Sequence, residues 1–283
     1  MTCGPLSHSS ASTLLSCEQK YAFYKILKID PDSDYTKSDA LAIGSAFHYV
    51  IEKCKHTWVP DLRKRAAACV DNPDIQLDEK YISLIHAMCV KYLRLHKAMG
   101  WKVIGIEQRL ETETFLGYVD AVMEDPEGSW WIVDLKALGR FDVRNAGALR
   151  HDPQMSLYAG HRALLAESLG LDLKKFAGTC WKVVVKPKLK QKKKESDKDY
   201  TVRLIDNTET YHVPVPFNEP AVEERLEIHA KLHARSARLF DGEPPLKNYG
   251  NCMAYFSPCE YWSQCHKVNH SEMEGLDIVE HEE

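Results

Sequence analysis

The sequence predicts an α/β protein in which helices pack against a central mixed sheet. Three observations predict it. Helical patterning fills the chain as far as Gly100. Three strand-like segments then follow one another between Lys102 and Lys136. Helix and strand patterns alternate from there to Phe240. With 283 residues, 44% of them hydrophobic, there is enough apolar material for a full core.

The elements are argued in chain order. Ser10 or Ser12 is placed to cap a helix running to about Leu27, with Leu14, Leu15, Tyr21, Phe23 and Tyr24 as apolar contacts. Residues 31–36 are rich in turn formers. A second helix fits 38–56, with Leu41, Phe47, His48 and Ile51 near one face. Helical patterns continue over 62–70 and 79–99, and Gly100 ends them. Strands are expected at 102–110, 114–123 and 129–136, the last two joined by a turn at 125–128. Residues 153–169 read as helix. Strands at 179–185 and 200–205 flank a lysine-rich loop, and a long helix covers 219–240 with Pro220 near its start. No internal repeat is visible. The organisation expected is one domain over 1–269, with a helical part at about 10–100, a core at about 101–240 and a cysteine-bearing end at 241–269, followed by an acidic tail at 270–283.

Composition narrows the class. No apolar run approaches the ~18 residues of a membrane span. The first residues lack the basic and apolar regions of a secretory signal. A cytoplasmic protein without membrane contact is expected. The formal net charge of −4 argues at first against nucleic acid. However, the last thirteen residues carry six acids and no Lys or Arg, and without them the balance is 37 basic to 35 acidic. Residues 182–198 hold eight lysines. They read either as a solvated hairpin tip or as a phosphate-attracting loop, with Lys188, Lys190, Lys192, Lys193 and Lys194 at its centre.

The chemistry concentrates between Glu107 and Lys136. Alternation puts Asp134 and Lys136 on one face of their strand and Leu135 on the other, and the turn at 125–128 brings Asp120 beside Asp134. Paired carboxylates repel unless a hard divalent cation lies between them, and Mg²⁺ or Mn²⁺ commonly joins such carboxylates to a phosphate. An ordinary Asp134–Lys136 ion pair gives the same local pattern. His48 reads equally as a core histidine. Gln154 and Tyr158 share a helical face at i, i+4.

Taken in order, Gly44-x-x-x-His48, Glu107, Gly117-x-x-Asp120, Asp134-x-Lys136 and Gln154-x-x-x-Tyr158 resemble the RecB-type branch of the PD-(D/E)xK nucleases. The resemblance runs from about Ser10 to His266. Val119 stands where the family's literal proline would be. The resemblance implies a restriction-endonuclease-like core that hydrolyses phosphodiesters. His48, Asp120, Asp134 and the Leu135 carbonyl would bind Mg²⁺ or Mn²⁺. Lys136 would position the attacking water, Glu107 would support the metal shell, and Gln154 and Tyr158 would orient the DNA backbone or Lys136.

Four of the nine cysteines stand out by position: Cys17 in the first helix, and Cys252, Cys259 and Cys265 after the last long one. Four thiolates suit tetrahedral zinc or a four-iron cluster, and spacing alone does not choose. AddB-type and CRISPR-associated RecB-like nucleases resemble this layout, which implies a 4Fe-4S cluster joining the chain ends, although the C-x6-C-x5-C run here has a wider first gap than theirs. Tyr255, Phe256, Tyr261 and Trp262 would shield it. The expected activity is a metal-dependent DNA exonuclease acting on single strands or ends in recombination, repair or replication. A phage origin in a bacterial host and a recombination or single-strand-binding protein partner fit that format. The alternatives are a non-catalytic DNA- or partner-binding module and a CRISPR-adaptation trimming nuclease.

Overall fold

The structure is a computed structural model that describes residues 3–32, 39–253 and 258–266. The expected acidic tail, the start of the second helix at Ser38, and Tyr255 and Phe256 lie outside the described residues. The chain forms two compact units. One combines residues 1–36 with 228–283, and the other is Lys37–Glu227.

The smaller unit begins with a two-residue strand β1 (Leu6–Ser7) and helix α1 (His8–Ser16). Ser7, not Ser10 or Ser12, caps α1, its hydroxyl accepting from the Ser10 N–H. The single helix expected as far as Leu27 breaks at Cys17, which is extended at φ −166°. The break has a visible cause. The Ser16 carbonyl is taken by the side-chain amides of Asn248 (2.8 Å) and Asn251 (2.6 Å). Helix α2 (Glu18–Tyr21) and a π turn (Ala22–Ile26) follow. Leu6, Ala11, Leu14, Tyr21 and Leu239 form this unit's core.

The larger unit opens with α3 (Asp39–Lys53), α4 (Leu62–Ala67) and α5 (Ile82–Met99), which Gly100 closes in the left-handed conformation at φ 68°. Strands β2 (Lys102–Glu111), β3 (Phe115–Glu124) and β4 (Trp130–Leu138) come next. The helix expected at 153–169 is split at His161 into α6 (Pro153–Gly160) and α7 (Arg162–Leu169), where the His161 ring stacks on Phe115. Strand β5 (Phe176–Val185) lies parallel to β4, and β6 (Glu209–Pro216) pairs antiparallel with β5. Helix α9 (Glu219–Phe240) has its first residues, to Glu227, in this unit and the remainder in the smaller one. A short α10 (Trp262–His266) ends the described chain.

Strand alternation divides the core. Ala121, Met123, Val133, Leu135, Cys180 and Val184 face the layer of α3 and α5. Val122, Trp130, Ile132, Trp181 and Val183 face the layer that contains Met155, Leu157 and Tyr158 of α6.

The strand expected at 200–205 is a helix, α8 (Asp197–Asn207). Ser196 caps it and Asp197 and Asp199 occupy its first turn. Its buried residues, Thr201 and Leu204, are three apart and join the helical layer. The strand that does pair with β5 is β6. It carries Pro214 and Pro216, tolerated because β6 bonds to a strand on one side only. The basic segment after β5 is therefore a loop leading into a helix. Lys182 is not part of it but is fully buried within β5.

Candidate active site

The carboxylates are placed by a fork between strands. β3 and β4 pair from Glu124↔Trp130 to Ala121↔Val133. Asp120 and Asp134 are the next residues along, where the strands part. The Asp120 carboxylate fills the fork, with Oδ2 accepting the Leu135 N–H at 2.7 Å. On the other side of β3, Glu107 stands level with Asp120, between the pairs Ile106↔Ala121 and Gln108↔Val119. Glu107 has φ 48°, a left-handed conformation inside a strand that a non-glycine residue adopts only at some cost.

Helix α3 brings His48 in from above, with Nδ1 3.5 Å from Asp120 Oδ2. Lys136 Nζ lies 2.9 Å from Asp134 Oδ2 and 3.3 Å from Oδ1, and donates to Gln154 Oε1 at 3.5 Å. Gln154 Nε2 in turn donates to the Tyr158 hydroxyl at 2.9 Å. The chain Asp134–Lys136–Gln154–Tyr158 thus links β4 to α6. Asp134 and Gln154 take two of the three ammonium N–H groups, which leaves one for a ligand. The glycine of the Gly-x-x-Asp motif has a physical reason: a Cβ on Gly117 would stand 2.6 Å from Tyr158 Cε1 and 2.8 Å from Phe115 Cζ.

The electrostatics separate the two aspartates. Burial and then the Asp120 charge push the Asp134 carboxyl up to about 7, although Lys136 opposes them. Burial works in the same sense on Asp120, but His48, the Leu135 N–H and Lys136 outweigh it and hold Asp120 below its ordinary value. For His48, burial acts against the charged form, yet the Asp120 carboxylate prevails and its pKa is raised. Burial, then Asp120 and Glu52, lift Glu107 to about 7.

Among the described residues, no three His, Cys, Asp or Glu side chains are set to hold a metal ion by themselves. Magnesium sites seldom require it, because one or two carboxylates are usually completed by water and substrate phosphate. Asp134 Oδ2 is buried and lacks an aligned hydrogen bond, its contact with Lys136 being an ion pair only. A deeply buried, under-coordinated carboxylate oxygen beside a second carboxylate fits a hard divalent cation.

One neighbour was not singled out in the sequence. Trp181 of β5, in register with Asp134, places its ring 5.0 Å from Lys136 Nζ. Only knowledge that β4 and β5 are parallel neighbours reveals it. Lys188, Lys190, Lys192, Lys193 and Lys194 are all exposed on the loop after β5.

The four cysteines gather in the smaller unit. Burial raises the Cys252 thiol, and repulsion from Cys265, Cys259 and Cys17 adds to it, so all four sulfurs lie within electrostatic reach. The Cys259 N–H donates to the Cys252 carbonyl at 2.8 Å. Arg235 grips both carboxylate oxygens of Glu18, next to Cys17, at 2.8 and 2.6 Å. Tyr261 is buried and packs on Phe23. Cys54, Cys69, Cys89 and Cys180 are buried.

The profile of the PD-(D/E)XK nuclease superfamily matches residues 5–266. The chain belongs to that superfamily. Comparison with curated proteins returns no match. Among solved structures, a candidate exonuclease from Eubacterium rectale is similar over 98% of this chain and 94% of its own, with 14% identity and a TM-score of 0.52. A phage-related exonuclease from Haemophilus somnus 129PT matches over 70% of this chain and 93% of its own, with 16% identity and a TM-score of 0.31. Superfamily membership accords with the mixed sheet flanked by helices and with the fork that seats Asp120 and Asp134. Among the described residues, no helix is long and apolar enough to cross a membrane.

Proposed function

We propose that this PD-(D/E)XK protein is a Mg²⁺- or Mn²⁺-dependent deoxyribonuclease of the RecB-like type, acting as an exonuclease on single-stranded DNA or DNA ends. The observation that carries the reading is the fork holding Asp120 and Asp134 beside Lys136, in a chain that belongs to a nuclease superfamily. The exonuclease half of the reading draws on the name of the similar E. rectale protein.

Asp120, Asp134 and the Leu135 carbonyl would hold the cation, with His48 fixing Asp120 from α3. The cation would polarise a phosphate oxygen and acidify the attacking water. Lys136 uses its remaining N–H to hold that water in line and to counter the charge that builds on phosphorus. Gln154 and Tyr158 position Lys136. The exposed lysines at 188–194 attract the DNA backbone.

The four cysteines would hold a 4Fe-4S cluster. Their sulfurs lie within electrostatic reach of one another, which supports a shared centre. A four-iron cluster gives each thiolate its own iron.

The test uses purified protein with Mg²⁺ or Mn²⁺ on end-labelled single- and double-stranded DNA and on circular single strands. Degradation of linear but not circular DNA is expected. Asp134→Ala and Lys136→Ala should each lose on the order of 10²-fold or more. Equal activity in wild type and both variants would overturn the assignment.

A further inference from the structure

The larger unit buries a cationic group that the nuclease chemistry does not use. Lys182 on β5 is 0% exposed. Its Nζ lies 3.0 Å from His96 Nδ1 and 3.3 Å from Met123 Sδ, facing the rings of Tyr92 and Trp101. No Asp or Glu among the described residues forms an ion pair with it. Burial pulls its pKa down to about 8, with Cys180 acting the other way. A buried ammonium without a carboxylate is an expensive arrangement that a nearby anion would relieve.

His96, whose pKa burial and then Lys182 pull down to about 4, stands between Lys182 and a cavity of about 680 Å³ lined by His56, Trp58, Leu93, Arg94, His96 and Lys97. His56 is fixed in its wall. Lys55 and His56 turn the chain with φ 50° and 55°, and His56 Nδ1 meets the Tyr92 hydroxyl at 2.5 Å. Trp58, 56% exposed, offers a large open ring at the mouth. Arg94 and Lys97 are exposed on α5, and among the described residues neither head group has a hydrogen bond or ion pair. The cavity thus combines flat aromatic surface with unneutralised cations and has no acid in its lining.

We propose that this cavity binds a nucleoside monophosphate, with the base against the open ring of Trp58 and the phosphate held by Arg94 and Lys97. Each half of the lining excludes a simpler ligand. A metal cation finds no carboxylate in the lining and is repelled by Arg94 and Lys97. Inorganic phosphate leaves the aromatic surface unused, and a neutral aromatic leaves the two cations unpaired. Base stacking and charge-assisted bonds to phosphate satisfy both. The source of the ligand rests on the nuclease reading, since hydrolysis of terminal phosphodiesters releases nucleoside monophosphates.

Calorimetric titration of the full chain tests this. The Asp134→Asn variant without divalent metal is used, so binding is read independently of turnover. Deoxyadenosine monophosphate should bind at one site. Deoxyadenosine and inorganic phosphate should each bind about tenfold more weakly or worse. Adding Trp58→Ala, or Arg94→Ala with Lys97→Ala, should each weaken the nucleotide about tenfold. These are surface substitutions, and an unchanged melting temperature confirms folding. The proposal is overturned if the nucleotide fails to bind at millimolar concentration, if both variants bind it unchanged, or if phosphate alone binds as tightly. A failed nuclease assay would leave these titrations unaffected, so the two readings fail separately.

Discussion

Asp134 is the residue with the strongest consequence for pH. Its carboxyl sits at about 7 in the folded chain, against an ordinary value of 3.8. The fold therefore favours the protonated form. That stabilisation is complete below pH ~4 and is lost as pH rises through about 7, because unfolding releases the ionised group to water. Thermal melts of metal-free protein should show stability falling across this window by an amount on the order of a few kcal/mol. Asp134→Asn should flatten the fall, and Mg²⁺ should restore stability above pH 7. A wild-type melting curve that does not change between pH 5 and 8 would count against it. Much of this site was legible in the sequence: two-residue alternation put Asp134 and Lys136 together, and helical spacing paired Gln154 with Tyr158. The left-handed turn at Glu107 and the contact of Trp181 with Lys136 were not. Both depend on how strands meet, which local pattern does not encode.

At the scale of elements, β3 and α6 approach closely where Gly117 faces Tyr158. Gly117→Ala inserts a methyl group where a buried ring already stands. Urea unfolding should show a loss of about 1–3 kcal/mol. Turnover should fall as well, because Tyr158 anchors the Gln154–Lys136 chain. Gly44→Ala is the control, since nothing lies within 4 Å of a Cβ there. The misread elements have physical explanations. Thr201, Val202 and Ile205 carry the β-branched signature of a strand, but the Ser196 cap and the burial of Thr201 with Leu204 make the segment helical. β6 escaped notice because two prolines disguise an edge strand. The first helix was drawn too long because nothing local shows that two distant asparagines claim the Ser16 carbonyl.

At the scale of the molecule, residues near both ends of the described chain build one unit, with Glu18 tied to Arg235 and Asp32 to Ser263. A cluster shared by Cys17 and the three later cysteines would close almost the whole chain, which restricts the unfolded ensemble and stabilises the fold by several kcal/mol. Cys259→Ser should therefore cost solubility and the brown absorbance of the cluster before it costs cleavage chemistry in the larger unit. Iron and sulfide analysis with visible spectra would check this. A colourless, fully folded wild-type protein with stoichiometric zinc would sink the cluster.

The interleaving of the two units also sets an order in time. Residues 37–227 are contiguous and can begin to fold as soon as they leave the ribosome. The core of the smaller unit cannot be completed so early, because Leu239 comes from the second half of α9 and α10 follows later still. At about 5–20 residues per second, that wait lasts roughly 10–45 s. During it, Leu6, Leu14 and Tyr21 wait for Leu239, the last-made member of their cluster. The core of the smaller unit is thus closed only after residues 37–227 have been made, which leaves the first helices a target for chaperones and proteases in the meantime.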